Sequence, residues 1–164
     1  MKYYLSLVLF FACSCKESKT KFIANSEIFS APIILVSKED TFLSVIHDSL
    51  FLKGIIFSGS VFQLYPGKKD TFSIERYSNG LLDGVSKKFY TGNQLMEYRV
   101  YLQGAKNGQQ ISYWKNGNKR FEFIAKNDAY EGELKEWLEN GSLFHLAHFK
   151  NGQEEGEQKL WYDN

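Results

Sequence analysis

Three histidines and a run of carboxylates are the residues whose types invite chemistry. His145 and His148 stand three apart, a spacing that puts two imidazoles on one face of a helix but on opposite faces of a strand. Here the pair falls in a predicted strand, so one metal ion does not bridge it without a bulge. His47 and Asp48 are sequence neighbours and by the same alternation face opposite sides. Glu131, Glu133, Glu136 and Glu139, with Glu154, Glu155 and Glu157, supply carboxylates in number. Glycosidase-like acid–base work needs two of them held across a substrate pocket, and their spacing implies no such pocket. No glycine-rich stretch runs into Lys-Ser or Lys-Thr and a helix, which a phosphate-binding loop requires. The expectation is a chain with no catalytic residue, no metal and no cofactor, acting by binding.

The remaining reactive side chains are Cys13 and Cys15, the only cysteines. They follow a positive start, Met1-Lys2, and an apolar run from Tyr3 to Ala12, and they precede the polar stretch Lys16 to Lys21. A run of ten is half the length that spans a bilayer and suits a signal-peptide core. The segment resembles a bacterial lipoprotein signal, in which small residues precede a cysteine that ends a short apolar core. Ala12 and Ser14 occupy positions −3 and −1 of Cys15; the alternative register, on Cys13, places Phe10 at −3. The resemblance implies residues 1–14 as the signal peptide, Cys15 (in the alternative register Cys13) as the lipidated residue, and 15–30 as a polar tether. The expected location is the cell envelope, exported and anchored in a membrane by lipid.

The chain has 164 residues, enough for one domain. Twenty Lys and Arg face 19 Asp and Glu, a net charge of +1, without the basic excess that nucleic-acid wrapping calls for; no nucleic-acid partner is expected. Aromatic residues make up 16% of the chain beside 13 glycines and 2 prolines, a mixture that points to strands joined by tight turns.

What must position the side chains is a repeat. Gly84, Gly108, Gly132 and Gly156 are 24 apart, and the sixth residue of each unit is aromatic: Phe89, Tyr113, Trp137, Trp161. Asn79-Gly80, Gln103-Gly104, Asn127-Asp128 and Asn151-Gly152 recur in the same register. Mid-unit there is a second turn: Pro66-Gly67, Thr91-Gly92-Asn93, Asn116-Gly117 and Asn140-Gly141, the last three 24 apart. Several features in phase mark a repeat protein, and Asn-Gly between aromatic runs marks hairpins. The spacing predicts an all-β fold: an elongated single-layer stack of about five 24-residue β-hairpin repeats over 60–164, with units starting near 60, 84, 108, 132 and 156. Gly84, Gly108, Gly132, Gly156, Gly117 and Gly141 are expected in turns. Residues 31–59 read as N-terminal strands and a lead-in or cap, with runs at Ile33 to Val36 and Phe42 to Ile46 as strands.

The unit that begins Gly132, Trp137-Leu138, Asn140-Gly141 and closes Phe149, Asn151-Gly152 resembles the bacterial variant of the MORN (membrane occupation and recognition nexus) repeat, over about residues 50–164. Departures are Gly92-Asn93 for Asn-Gly and Asp128 for a closing glycine. Relatives in that family are often labelled antitoxin-like or membrane-binding, so the resemblance implies either an antitoxin-like component neutralising a partner toxin or a module binding an anionic membrane surface. Beside these stands the broader expectation of an envelope protein or polymer as partner. Tyr90, Trp114, Trp137, Trp161 and Tyr162 are the candidate binding-face aromatics. From Lys53 to Lys126 there are 12 bases and 5 acids, and from Asp128 onward 9 acids and 3 bases. The array is thus positive in its middle and negative at its end, a field able to steer an anionic partner. Open strand edges also offer a route to self-association.

Overall fold

The computed structural model describes residues 34–67 and 69–162. The segments expected as signal peptide and tether, with Cys13 and Cys15, lie outside the described residues. Those described are all-β, without a helix.

Four short strands come first: β1 (Leu35–Ser37), β2 (Leu43–Ile46), β3 (Ser49–Leu52) and β4 (Ile55–Ile56). Of the apolar runs at 33–36 and 42–46, Leu35 and Val36 fall on β1 and Leu43–Ile46 on β2. Strands β2, β3 and β4 form a small antiparallel meander. Two reversals within it are made by His47-Asp48 (φ +47° and +63°) and Lys53-Gly54 (φ +54° and +74°), the paired left-handed conformations of a two-residue hairpin turn. His47 and Asp48 are therefore turn residues rather than opposite faces of a strand. Val36, Leu50, Phe57 and Val61 make one apolar cluster, with Leu43, Leu52 and Tyr77 against it, and Phe57 meets Tyr77 edge-on at 6.3 Å.

The rest is one sheet. It comprises β5 (Gly59–Leu64), β6 (Thr71–Ser78), β7 (Leu81–Leu82), β8 (Gly84–Phe89), β9 (Leu95–Leu102), β10 (Ala105–Tyr113), β11 (Lys119–Lys126), β12 (Ala129–Trp137), β13 (Leu143–Lys150), β14 (Gln153–Glu154) and β15 (Lys159–Leu160). With β1 it forms a 12-stranded sheet in the order β1-β5-β6-β8-β9-β10-β11-β12-β13-β14; β7 also pairs β6, and β15 also pairs β13. All neighbours are antiparallel except β1, which runs parallel to β5. Asn79-Gly80, Gln103-Gly104, Asn127-Asp128 and Asn151-Gly152 all have two consecutive positive φ angles, the backbone that closes a tight hairpin.

Two kinds of irregularity recur along this sheet. The register slips at Gln63/Leu64, Lys88/Phe89, Ser112/Tyr113 and Glu136/Trp137, next to the aromatic that ends three of those strands. The second kind corrects an expectation. Gly84, Gly108 and Gly132 lie inside strands, not in reversals, with φ of +97°, +105° and +75°. From Lys106 to Gln110 the chain takes four steps while its partner takes two, from Arg99 to Tyr101. The same excess surrounds Gly132 (Glu131 to Lys135 against Glu122 to Ile124). Around Gly84 and Gly156 five steps oppose three: Leu82 to Lys87 against Ile74 to Tyr77, and Glu154 to Lys159 against Leu146 to Phe149. An excess of residues must bulge, and the bulge turns on a left-handed residue that only glycine adopts at little cost. Gly117 (φ +93°) and Gly141 (φ +90°) do sit in the mid-unit turns.

A bulge strips carbonyls of their ladder partners, and buried ones need another. Gln110, wholly buried, supplies it at Gly108: its Nε2 donates to Val100 O at 2.9 Å and to Gly108 O at 3.3 Å.

Candidate functional site

The sheet's two faces follow from the register, because cross-strand partners share a face. One face carries the row Gln63, Ser73, Lys88, Glu97, Ser112, Phe121, Glu136, His145, Leu160. Its charges are internally matched. Lys88 Nζ lies 3.1 Å from Glu97, whose other oxygen is 3.6 Å from Arg99, and the Arg99 guanidinium covers the Phe121 ring at 4.8 Å. His145 Nδ1 is 2.9 Å from Glu136 Oε2, while His145 Nε2 is buried without a partner among the described residues. His148 sits on the other face, with Nε2 3.5 Å from Glu133. The two imidazoles thus have separate carboxylates on separate faces, as strand alternation requires.

The opposite face carries the row Phe62, Ile74, Lys87, Tyr98, Ile111, Glu122, Lys135, Leu146, Lys159. Two hollows open on it, both at bulge glycines. The first, of about 600 Å³, includes Ile74, Arg76, Asp83, Gly84 and Lys87 in its lining. The second, of about 340 Å³, includes Glu122, Ile124, Glu131, Gly132 and Lys135. Each residue of the second set stands 48 positions after its counterpart in the first.

Their electrostatics differ. In the second hollow, Glu122 accepts from Lys119 Nζ (2.6 Å) and Gln109 Nε2 (2.9 Å), and the Lys119 bond above all holds its carboxyl below the usual range. Glu131 accepts the Asn151 N–H at 2.9 Å. Lys135 Nζ is 2.6 Å from Glu133, whose carboxyl it also lowers by that hydrogen bond. In the first hollow, Arg76, Asp83 and Lys87 make no side-chain hydrogen bond or ion pair among the described residues. The backbone N–H of Asp83 donates to Arg76 O at 2.9 Å, yet their side chains do not pair. Lys87 Nζ lies 6.0 Å above the centre of the Tyr98 ring.

The candidate binding-face aromatics are divided in role. Tyr65 Oη donates to Phe89 O (2.8 Å), Tyr90 Oη to Tyr113 O (3.0 Å) and Trp114 Nε1 to Trp137 O (2.9 Å). These bonds tie aromatics 23 or 24 residues apart along one edge. Along the other edge Gly80, Gly104, Asp128 and Gly152 donate backbone N–H groups to Phe57, Leu82, Lys106 and Tyr130. Tyr90 and Trp114 are thus stitches between neighbouring hairpins. Arg120 stacks on Trp114 at 4.8 Å, and Lys119 lies 5.6 Å from the centre of the Trp137 ring. Trp161 and Tyr162 are exposed, Tyr162 by 76%.

Sequence reasoning passed over Arg76, Asp83, Lys87 and Gln110. The signal that bears on the first three is comparison across the 24-residue register: Arg76 gives way to Val100 and Ile124, Asp83 to Asn107 and Glu131, and Lys87 to Ile111 before a lysine returns at Lys135.

Against known proteins, no family model matches the chain, and no curated protein or solved structure does either.

Proposed function

We propose that this chain is a non-enzymatic, lipid-anchored envelope protein that binds a protein or envelope polymer through an array of MORN-variant hairpins stacked edge to edge in a single layer. The observation that carries the reading is the recurrence at 23–25 residues of the same bulge, the same hairpin turn and the same aromatic-to-carbonyl bond. Such recurrence makes a regular surface whose side chains vary while its backbone does not, the property by which repeat arrays recognise extended partners. Catalysis finds less support: the half-buried histidine–carboxylate contact of His145 with Glu136 lies on a face whose neighbouring charges are already paired.

The anchor is tested by expressing the full chain in a bacterial host with labelled palmitate. Label in the membrane fraction that Cys15→Ala abolishes and Cys13→Ala leaves in place is the expected result. Label lost only with Cys13→Ala moves the anchor to Cys13, and no label in the unaltered chain removes the lipoprotein reading.

A further inference from the structure

We propose that the hollow around Gly84 binds a peptide carboxylate, with Arg76 and Lys87 taking the carboxylate and Asp83 accepting an N–H of the same peptide. This deepens the reading of the array as a binding surface and is independent of the lipid anchor.

Three observations carry it. The first is unspent charge. Two cations and one carboxylate line one hollow without pairing, although Arg76 and Asp83 are joined through their backbones. At the corresponding positions elsewhere, polar groups are consumed locally: Asn107 by Asn127, Glu131 by Asn151, and Lys135 by Glu133. The second is how the guanidinium is held. A Cβ on Gly84 would lie 3.1 Å from Arg76 Cδ, so the missing side chain lets the Arg76 stem lie across the bulge. Lys87, on the neighbouring strand, rests by its ammonium over Tyr98, an attraction that restrains a long side chain without neutralising it. The third is size: about 600 Å³ lies within the range of sites that hold a small organic ligand.

The mixture of charges selects the ligand. A guanidinium and an ammonium side by side favour an anion, and the planar fork of arginine takes a carboxylate through two parallel N–H bonds. Asp83 in the same hollow repels a dianion such as phosphate more than a singly charged carboxylate. It also provides an acceptor for the amide or ammonium N–H that a peptide carries near its carboxylate and that inorganic anions lack. An acidic side chain or a free C-terminus supplies the same pair of groups.

The test is titration of the full-length chain, followed by amide chemical shifts. The probes are an N-acetylated peptide amide with one internal Glu, an uncharged peptide with a free C-terminus, the Gln analogue of the first, inorganic phosphate, and vesicles containing anionic lipid. The expected result is saturable shifts on β6, β7 and β8 with one or both carboxylate peptides; the arm that binds identifies the source. The Gln amide binds at least tenfold more weakly. Arg76→Val and Lys87→Ile, which install the residues found 24 positions on, each weaken binding by about tenfold without changing the melting temperature by more than a few degrees. Asp83→Asn weakens peptide binding and strengthens phosphate binding. Shifts outside the hollow only, binding unchanged in Arg76→Val and Lys87→Ile, no shifts at millimolar peptide, phosphate binding as tightly as the peptides, or vesicle binding alone each overturn the proposal. Shifts elsewhere on the sheet would do so while leaving the wider reading of the array intact.

Discussion

The hollow at Gly84 and the hollow at Gly132 share a backbone and part company in their charges. Both open where a glycine at positive φ takes up an excess of residues on one strand. In the later hollow each charged group has found a partner within the chain; in the earlier one Arg76, Asp83 and Lys87 form no ion pair or side-chain hydrogen bond among the described residues. The difference separates two tasks that sequence merges. Glycines, turn pairs and aromatic donors recur with the fold; the residues around each bulge set what the surface can hold, and their partners differ from unit to unit even where, as at Lys87 and Lys135, the residue is the same.

The comparison can be broken first at the glycines. Gly108 has the least room of the three strand bulges with respect to a stiff neighbour, since a Cβ there lies 3.3 Å from Val100 Cβ, whereas nothing lies within 4 Å of one on Gly132. Gly108→Val should destabilise the protein by about 3 kcal/mol, combining backbone strain with overpacking, and Gly132→Val by about 1.5 kcal/mol, from strain alone. Urea midpoints with unchanged slopes measure both. Equal losses would mean that the bulges do not differ in packing.

Next in size is a charge exchange. Arg76→Ile should cost about tenfold, roughly 1.4 kcal/mol, in carboxylate-peptide affinity. Ile124→Arg should gain no peptide binding, because Glu131 and Glu122 line the same hollow and would claim the new guanidinium. Calorimetric titration of the two variants decides whether an unpaired cation, rather than any cation, makes the site.

A smaller effect separates the stitched edge from the hollows. Trp114→Phe and Tyr90→Phe each remove one donor to a carbonyl of the next hairpin, worth about 1 kcal/mol apiece, and leave the hollows as they are. A loss of peptide binding in either variant would show that the edge and the hollow are coupled.

The smallest effects are those of pH. Glu122 is held below the usual carboxylate range by Lys119. Its contribution is therefore present above the unfolded-state value and lost as pH falls through the lower folded one. Lys119→Ala should flatten acid destabilisation by a few tenths of a kcal/mol, as expected of an exposed pair. Tyr77 runs the other way. Burial foremost, then Glu75, pushes its hydroxyl upward, so its contribution is whole below the ordinary tyrosine value of 10.0 and lost as pH rises beyond it. Alkaline unfolding followed by circular dichroism should begin earlier in the unaltered chain than in Tyr77→Phe.

The all-β character was legible because its signals are local. Asn79-Gly80 and Asn151-Gly152 announce paired positive φ angles whatever surrounds them, and they do close hairpins. Gly84 and Gly108 were legible as a period but not as bulges. A glycine reports that φ is positive without reporting whether the chain then reverses or continues, and only strand pairing distinguishes the two. The interaction surface was less legible still. Arg76, Asp83 and Lys87 are ordinary charged residues in sequence; what marks them is the lack of partners in space, set against partners present at Glu131 and Lys135. Trp114 shows the opposite failure: an aromatic that suggests a docking platform spends its N–H on a neighbouring carbonyl.

The row of aromatic donors ends one junction early. Tyr65, Tyr90 and Trp114 each bind the next hairpin through a side-chain donor, but the residue 24 beyond Trp114 is Leu138, whose side chain has no polar hydrogen to give. Thermal opening of the sheet therefore has a natural starting seam, between β13 and its short partners β14 and β15, and amide protons there should exchange with solvent ahead of those on β9 to β11. A missing side-chain bond thereby gives the sheet a direction in which it comes apart.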